Sequence, residues 1–280
     1  MLDLGGIKVQ SIYFGELLLD GGSMFGILPK IMWEKWQKAD EYNRLRFSMQ
    51  GLLIFDNDRK ILVDAGAGKK YSDKMQNIFG LTYPEKDIEE QLLDLNLSVK
   101  EITDVIITHL HFDHSGGFTV YGEQNEIAPR FPNAEYHIQQ AHLETARNPN
   151  PHEKASIFED NWKPLEPHFN IHDGNSQLTE WVSVSRSDGH TLGMQTVWIR
   201  GEKETVVYLA DLIPTSAHLP ISYNMAFDLN VEKLMKERKE TLTEIIDNNF
   251  IAAFEHDPYL QGGYIKWGKK HPEISQEVKF

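Results

Sequence analysis

Between residues 109 and 114 the chain reads His109-Leu110-His111-Phe112-Asp113-His114, and a Ser115-Gly116-Gly117 turn follows. The run comes directly after Val105-Ile106-Ile107-Thr108, a short apolar stretch of the buried-strand type. In extended backbone, residues two apart share a face, so His109, His111 and Asp113 project to one side and the glycine turn brings His114 alongside. Buried imidazoles and carboxylates are costly without partners, so four such groups together fit the capture of a cation better than core packing. The chain has no cysteine, and any metal must be held by His, Asp or Glu.

Four clumped ligands do not enclose a hydrolytic centre, so further donors are expected at other strand ends. Three segments supply them: Ser187-Asp188-Gly189-His190-Thr191-Leu192-Gly193, Leu209-Ala210-Asp211, and Phe254-Glu255-His256-Asp257. Each alone would read as a surface histidine or a capping aspartate, and together they outweigh that reading. Ile61-Leu62-Val63-Asp64-Ala65-Gly66 also ends a strand on an acid, which either faces a site or caps its own turn.

The elements that must position these residues follow from periodicity. Ile7 to Phe14, Arg46 to Phe55 and Lys60 to Val63 predict three early strands, the last two forming a hairpin at Asn57-Asp58. Asp87 to Leu97 has the spacing of a helix and feeds the strand before His109. Residues 121 to 175 collect prolines and predict a long surface excursion, with a strand at Glu135 to Ile138 and a helix at Gln139 to Arg147. Val182 to Ser185, Gln195 to Ile199, Thr205 to Leu209 and Ile251 to Phe254 predict a second group of strands, and Val231 to Asn248 an amphipathic helix. Nothing after Lys266 reads as core. Two groups of strands with helices outside them predict a sandwich of two sheets flanked by helices, in one domain spanning 1–280.

Composition narrows the partners. The 280 residues are 40% hydrophobic and 25% charged, as in a folded globular chain. A formal net charge of −14 repels phosphate backbones and anionic lipid, which disfavours nucleic acid and membrane surfaces as partners. The N-terminal segment lacks the basic and apolar regions of a signal peptide, and a cytoplasmic protein is expected. Met24, Phe25, Ile27, Leu28 and Trp33 form an apolar stretch that reads as core, as the wall of an acyl pocket or as a homodimer contact. His137, His142, His152, His168, His172 and His218 are expected to be ordinary surface or loop histidines, His218 being the best exception.

The sequence H-x-H-x-D-H followed by separate His, Asp and His resembles the metallo-β-lactamase superfamily. The resemblance implies an α/β fold, a four-layer αβ/βα sandwich of two mixed sheets flanked by helices. It also implies two divalent metal ions: His109, His111 and His190 on one, Asp113, His114 and His256 on the other, Asp211 bridging them, and Asp64 supporting from behind. A closer similarity runs along nearly the whole chain to the YtnP-like quorum-quenching lactonases. It is carried by Asp20-Gly21-Gly22-Ser23-Met24-Phe25-Gly26, Arg147-Asn148-Pro149-Asn150, Asn161-Trp162-Lys163, and the segment from Ala210-Asp211-Leu212 to Ala217-His218. Pro214 stands in the neighbourhood where lactonases of the superfamily carry a substrate-touching Tyr. Tyr223 reads first as a packed aromatic, its substitution for that Tyr in space being the alternative.

For such a centre the expected nucleophile is a hydroxide held between the two cations, attacking an ester-type carbonyl, and above all a lactone such as an N-acyl homoserine lactone. Asp113, Asp211 and Tyr223 are the candidate catalytic side chains, with Asp211 placed to take the proton. Zinc ranks first, although His and carboxylate ligands also accept Mn, Fe or Co. The same centre serves other esters, thioesters and phosphotriesters, and a non-catalytic metal-dependent binding or sensing module is the alternative of another class.

Overall fold

A computed structural model describes residues 1–280. The first sheet begins with β1 (Leu2–Asp3), β2 (Lys8–Asp20), β3 (Arg44–Asp56), β4 (Arg59–Val63) and β5 (Asp104–Ile106). A small hairpin of β6 (Thr119–Tyr121) and β7 (Ile127–Pro129) intervenes before β8 (Glu135–Gln139) and β9 (Phe169–His172) complete that sheet. The second sheet runs in sequence order through β10 (Ser176–Gln177), β11 (Val182–Ser187), β12 (Met194–Arg200), β13 (Thr205–Tyr208), β14 (Ile251–Ala253), β15 (Gly262–Trp267) and β16 (Pro272–Val278).

Both sheets are mixed. β1 to β4 are antiparallel and β4, β5, β8 and β9 are parallel, while in the second sheet only β13 and β14 run parallel. A parallel pair needs a crossover, and helices supply it. Ile88–Asp94 returns the chain from β4 to β5, and Gln140–Arg147 lies between β8 and β9. Val231–Asp247 lies between β13 and β14. The crossover into β5 opens with Asp87, whose carboxylate accepts from the Glu89 and Glu90 amides while Glu90 accepts from the Asp87 amide.

Strand alternation divides the core in two. Ile61, Val63 and Ile106 join Val197, Val206, Val207 and Ile251 of the second sheet in one apolar cluster. Their neighbours Leu62 and Val105 point the other way and pack with Leu92, Leu143 and Trp162 of the helical segments. The result is two sheets face to face with helices outside, the α/β sandwich that the sequence pattern predicts.

Three expectations are corrected. β2 continues past Phe14 to Asp20 across an irregularity between Tyr13 and Gly15. Gly15 has φ +122°, and a Cβ there would lie 2.1 Å from the Thr82 carbonyl oxygen, so a side chain is excluded. Residues 121–175 are a working part of the sheet and site, because β8, β9 and the buried His137 and His142 come from it. The segment after Lys266 finishes β15, adds the edge strand β16 and buries Phe280. β16 hides from a hydropathy reading because most of its side chains are polar and exposed, as suits an edge.

Candidate metal centre

The strands deliver the candidate ligands to one end of the sandwich, beyond the carboxyl ends of β4, β5, β13 and β14. Asp64 follows β4, the His109 run follows β5, Asp211 follows β13 and His256 follows β14; His190 lies between β11 and β12. All seven predicted ligands converge in two groups whose donor atoms lie within 4.8 Å of one another: His109, His111, His190 and Asp211, and Asp113, His114 and His256. Asp211 joins the groups. Its Oδ2 is 3.2 Å from His190 Nε2 and 3.9 Å from His109 Nε2, and its Oδ1 is 3.2 Å from His256 Nε2. One local expectation fails: the run is not extended throughout, since Phe112–Ser115 turns into a short helix that carries Asp113 and His114.

Hydrogen bonds behind the site fix which imidazole nitrogen faces inward. Thr108 Oγ1 donates to Asp64 Oδ2 at 2.6 Å and so accepts from His109 Nδ1 at 3.1 Å. His190 Nδ1 donates to Asp228 Oδ1 and His256 Nδ1 to the Ser48 carbonyl, both at 2.8 Å. His114 Nδ1 meets Asp64 Oδ2 at 3.2 Å; Glu255 Oε2 lies at 2.8 Å but out of line for a hydrogen bond. Each of these four imidazoles therefore turns an Nε2 lone pair inward. His111 is reversed, with Nδ1 3.2 Å from His190 Nε2 and Nε2 3.6 Å from Glu153 Oε1.

Ring nitrogen thus meets ring nitrogen, at 3.2 Å between His190 Nε2 and His111 Nδ1 and at 3.1 Å between His256 Nε2 and His114 Nε2. Buried polar atoms without partners add to this: His109 Nε2 and Asp211 Oδ1. Imidazole nitrogens and a carboxylate crowded this closely, with buried atoms left unpartnered, are the donor set that a divalent cation requires, so the residues fit one.

Electrostatics point the same way. Burial raises the Asp211 carboxyl, and His190, His256 and His114 more than offset it, holding the group well below its ordinary range. Burial opposes charge on His256, yet Asp211 outweighs it and lifts the imidazole to about 9. His109, buried and beside His114 and His111, is held well below its ordinary value. Asp211 therefore draws positive charge into the site, a proton when nothing else is there.

A cleft of about 600 Å³ opens over this floor. Leu19, Met24, Phe79, Phe112, Met225 and Phe227 form an apolar wall, and His152, Glu153 and Ser156 lie on the polar side. Met24 lines the cleft, whereas Phe25 and Trp33 are buried and stack on each other, and Ile27 is 97% exposed. Tyr223 does not line the cleft. It is half-buried against the core of the first sheet, and its carbonyl accepts from Arg238 Nη1 at 2.6 Å.

Several residues escape a sequence reading. Asp228 and Glu255 stand behind candidate ligands, and Glu153 lines the cleft beside His111, but all three look like ordinary charged loop positions. His137, His142 and His218, expected at the surface, are buried and fully hydrogen-bonded. For His218, already singled out as the best exception, the signal was its place just after the Asp211 segment; for His142 it was only a histidine between Ala141 and Leu143.

Comparison with known proteins agrees with this architecture. An N-acyl homoserine lactonase of Bacillus cereus is 26% identical over 217 residues, 72% of this chain and 75% of that protein. The crystal structure of a probable metal-dependent hydrolase from Staphylococcus aureus superposes with a TM-score of 0.91 at 25% identity, covering 100% of this chain and 99% of that one. A dizinc quorum-quenching lactonase, solved with a product, N-hexanoyl-L-homoserine, shares the fold with a TM-score of 0.78 at 22% identity, over 100% of this chain and 97% of its own. Residues 50–245 match the profile of the metallo-beta-lactamase superfamily. With two mixed sheets, a convergent His and Asp floor and that match over most of its length, the chain belongs to the metallo-β-lactamase superfamily and is a metal-dependent hydrolase.

Proposed function

We propose that this hydrolase opens lactones, with N-acyl homoserine lactones as the leading class, at a centre of two divalent cations, zinc ranking first. In this reading His109, His111 and His190 hold one cation, Asp113, His114 and His256 the other, and Asp211 both. The single observation that carries it is the pairing of this polar floor with one apolar wall, because a lactone with an acyl tail needs both at once. The N-acyl homoserine lactonase relative supports the same class. When bound, the cations supply Lewis acidity for the carbonyl and lower the pKa of water.

The chain's own residues do the rest. The apolar wall binds the tail and excludes water from it. Asp113 and Asp211, the carboxylates on the cleft floor, take the proton of the attacking water and return it to the alkoxide leaving group. Cysteine is absent from the chain, and no side-chain nucleophile is required. In this reading Tyr223, which does not line the cleft, takes no part in the reaction. One unit spanning 1–280 is the organisation proposed, since strands of both sheets share one apolar cluster.

Metal analysis and a lactone panel test the reading. Two cations per chain and acid release from acyl homoserine lactones are expected. Turnover confined to aryl esters or phosphotriesters would transfer the function to those substrates.

A further inference from the structure

We propose that His142, on the helix Gln140–Arg147, is a positioning residue that latches the His109–His111 turn to the His190–Gly193 loop. The Leu110 amide, flanked by two proposed ligands, donates to His142 Nε2 at 2.7 Å. On the other edge of the ring, His142 Nδ1 donates to the Leu192 carbonyl at 2.9 Å. A backbone amide only donates and a carbonyl only accepts, so the two contacts allow one neutral tautomer, with the proton on Nδ1. The imidazole is fully buried, and its ring centroid lies 6.1 Å from that of His109 without reaching the cleft.

An apolar residue would fill this space while leaving a buried N–H and a buried C=O without partners. The approach of the loop to the helix is close and built in. Gly193 has φ +76°, and a Cβ there would stand 2.5 Å from the His142 backbone nitrogen. The same loop is held at its far end by the Gln195 amide, which donates to the Thr108 carbonyl at 3.0 Å just before His109.

The latch serves one half of the centre. It ties together directly the backbones carrying His109, His111 and His190, whereas the turn bearing Asp113 and His114, which joins it through the His111 carbonyl, and the loop bearing His256 have supports of their own. Among those, the Ala65 amide donates to the His114 carbonyl at 2.9 Å, and the Ser48 carbonyl holds His256 Nδ1. The inference rests on the proposal that these two groups each hold a cation. It then follows that losing the latch loosens one cation and spares the other.

The test loads the full-length protein with zinc and follows release to a chelator, with metal content per chain as the readout. In the wild type two cations per chain leave slowly. His142→Ala is expected to release one of them roughly 10–100-fold faster and the second at the wild-type rate, the range seen when support behind a ligand is removed. Amide exchange at 109–111 and 190–193 should rise in the same variant before metal is added. His142→Gln, whose amide oxygen can still accept from Leu110, should fall between the two, and it carries the test if the alanine variant does not fold. Wild-type release of both cations from the variant, or equal acceleration of both, overturns the latch. A wild-type protein that takes up no zinc, manganese, iron or cobalt instead overturns the two-cation reading, and the latch with it.

Discussion

At the scale of single residues, the floor of the cleft is set less by its seven converging side chains than by what stands behind them. Asp228, Ser48, Thr108 and Asp64 each remove one choice of tautomer, so the inward nitrogens are ready without rearrangement. His218 does similar work for the apolar wall. Its Nε2 donates to the Met24 carbonyl at 2.8 Å, its Nδ1 accepts from Thr215 Oγ1 at 2.7 Å, and its ring stacks on Phe25. Burial pushes this imidazole down to about 3. The folded pKa is below the unfolded one, so the contribution to stability is complete above pH 6.5. It is lost as pH falls toward 3, at up to about 1.4 kcal/mol per pH unit. Urea midpoints between pH 6.5 and 4.5 should fall less steeply in His218→Gln than in wild type, and equal slopes would contradict the assignment.

At the scale of elements, the turn after the short helix Phe112–Ser115 is the tightest part of the site. A Cβ on Gly116 would lie 1.8 Å from the Ala67 carbonyl oxygen, and one on Gly117 would lie 2.0 Å from that of Ala65. Gly116→Ala must therefore push the Asp64–Gly68 segment away from His114. We expect a stability loss of about 1–3 kcal/mol by chemical denaturation, with loss of the cation proposed to sit near His114. Unchanged metal content in that variant would show that the two segments separate freely. The sequence made this region legible because ligand spacing and a Gly-Gly turn are local signals. It concealed the helical turn at Phe112, since four residues carry no measurable periodicity. The supports Asp228 and His142 stayed hidden for another reason: they meet their partners across 38 residues and 32 or 50 residues of chain respectively, and no spacing rule reaches that far.

At the scale of the whole molecule, a chain of formal charge −14 concentrates carboxylates and imidazoles in one buried floor. Stripping cations should leave that floor dependent on protons, as the raised His256 and His114 indicate. Ligand linkage predicts that chelator treatment lowers the thermal midpoint and that zinc restores it, a free concentration of 100 times the Kd being worth about 2.7 kcal/mol. Identical melting curves with and without chelator would count against a resident metal. The apolar halves of the fold were readable from the short continuous apolar runs of β4, β5 and β13, whereas the polar edge strand β16 offered no such run.

Each ligand group draws on both sheets. His109, His111, Asp113 and His114 leave the first sheet, and His190, Asp211 and His256 leave the second. Ions seated there would act as rivets across the seam of the sandwich. Neither half of the gene product, expressed alone, would own a complete coordination set, and mixing the two fragments with metal should reassemble what neither contains.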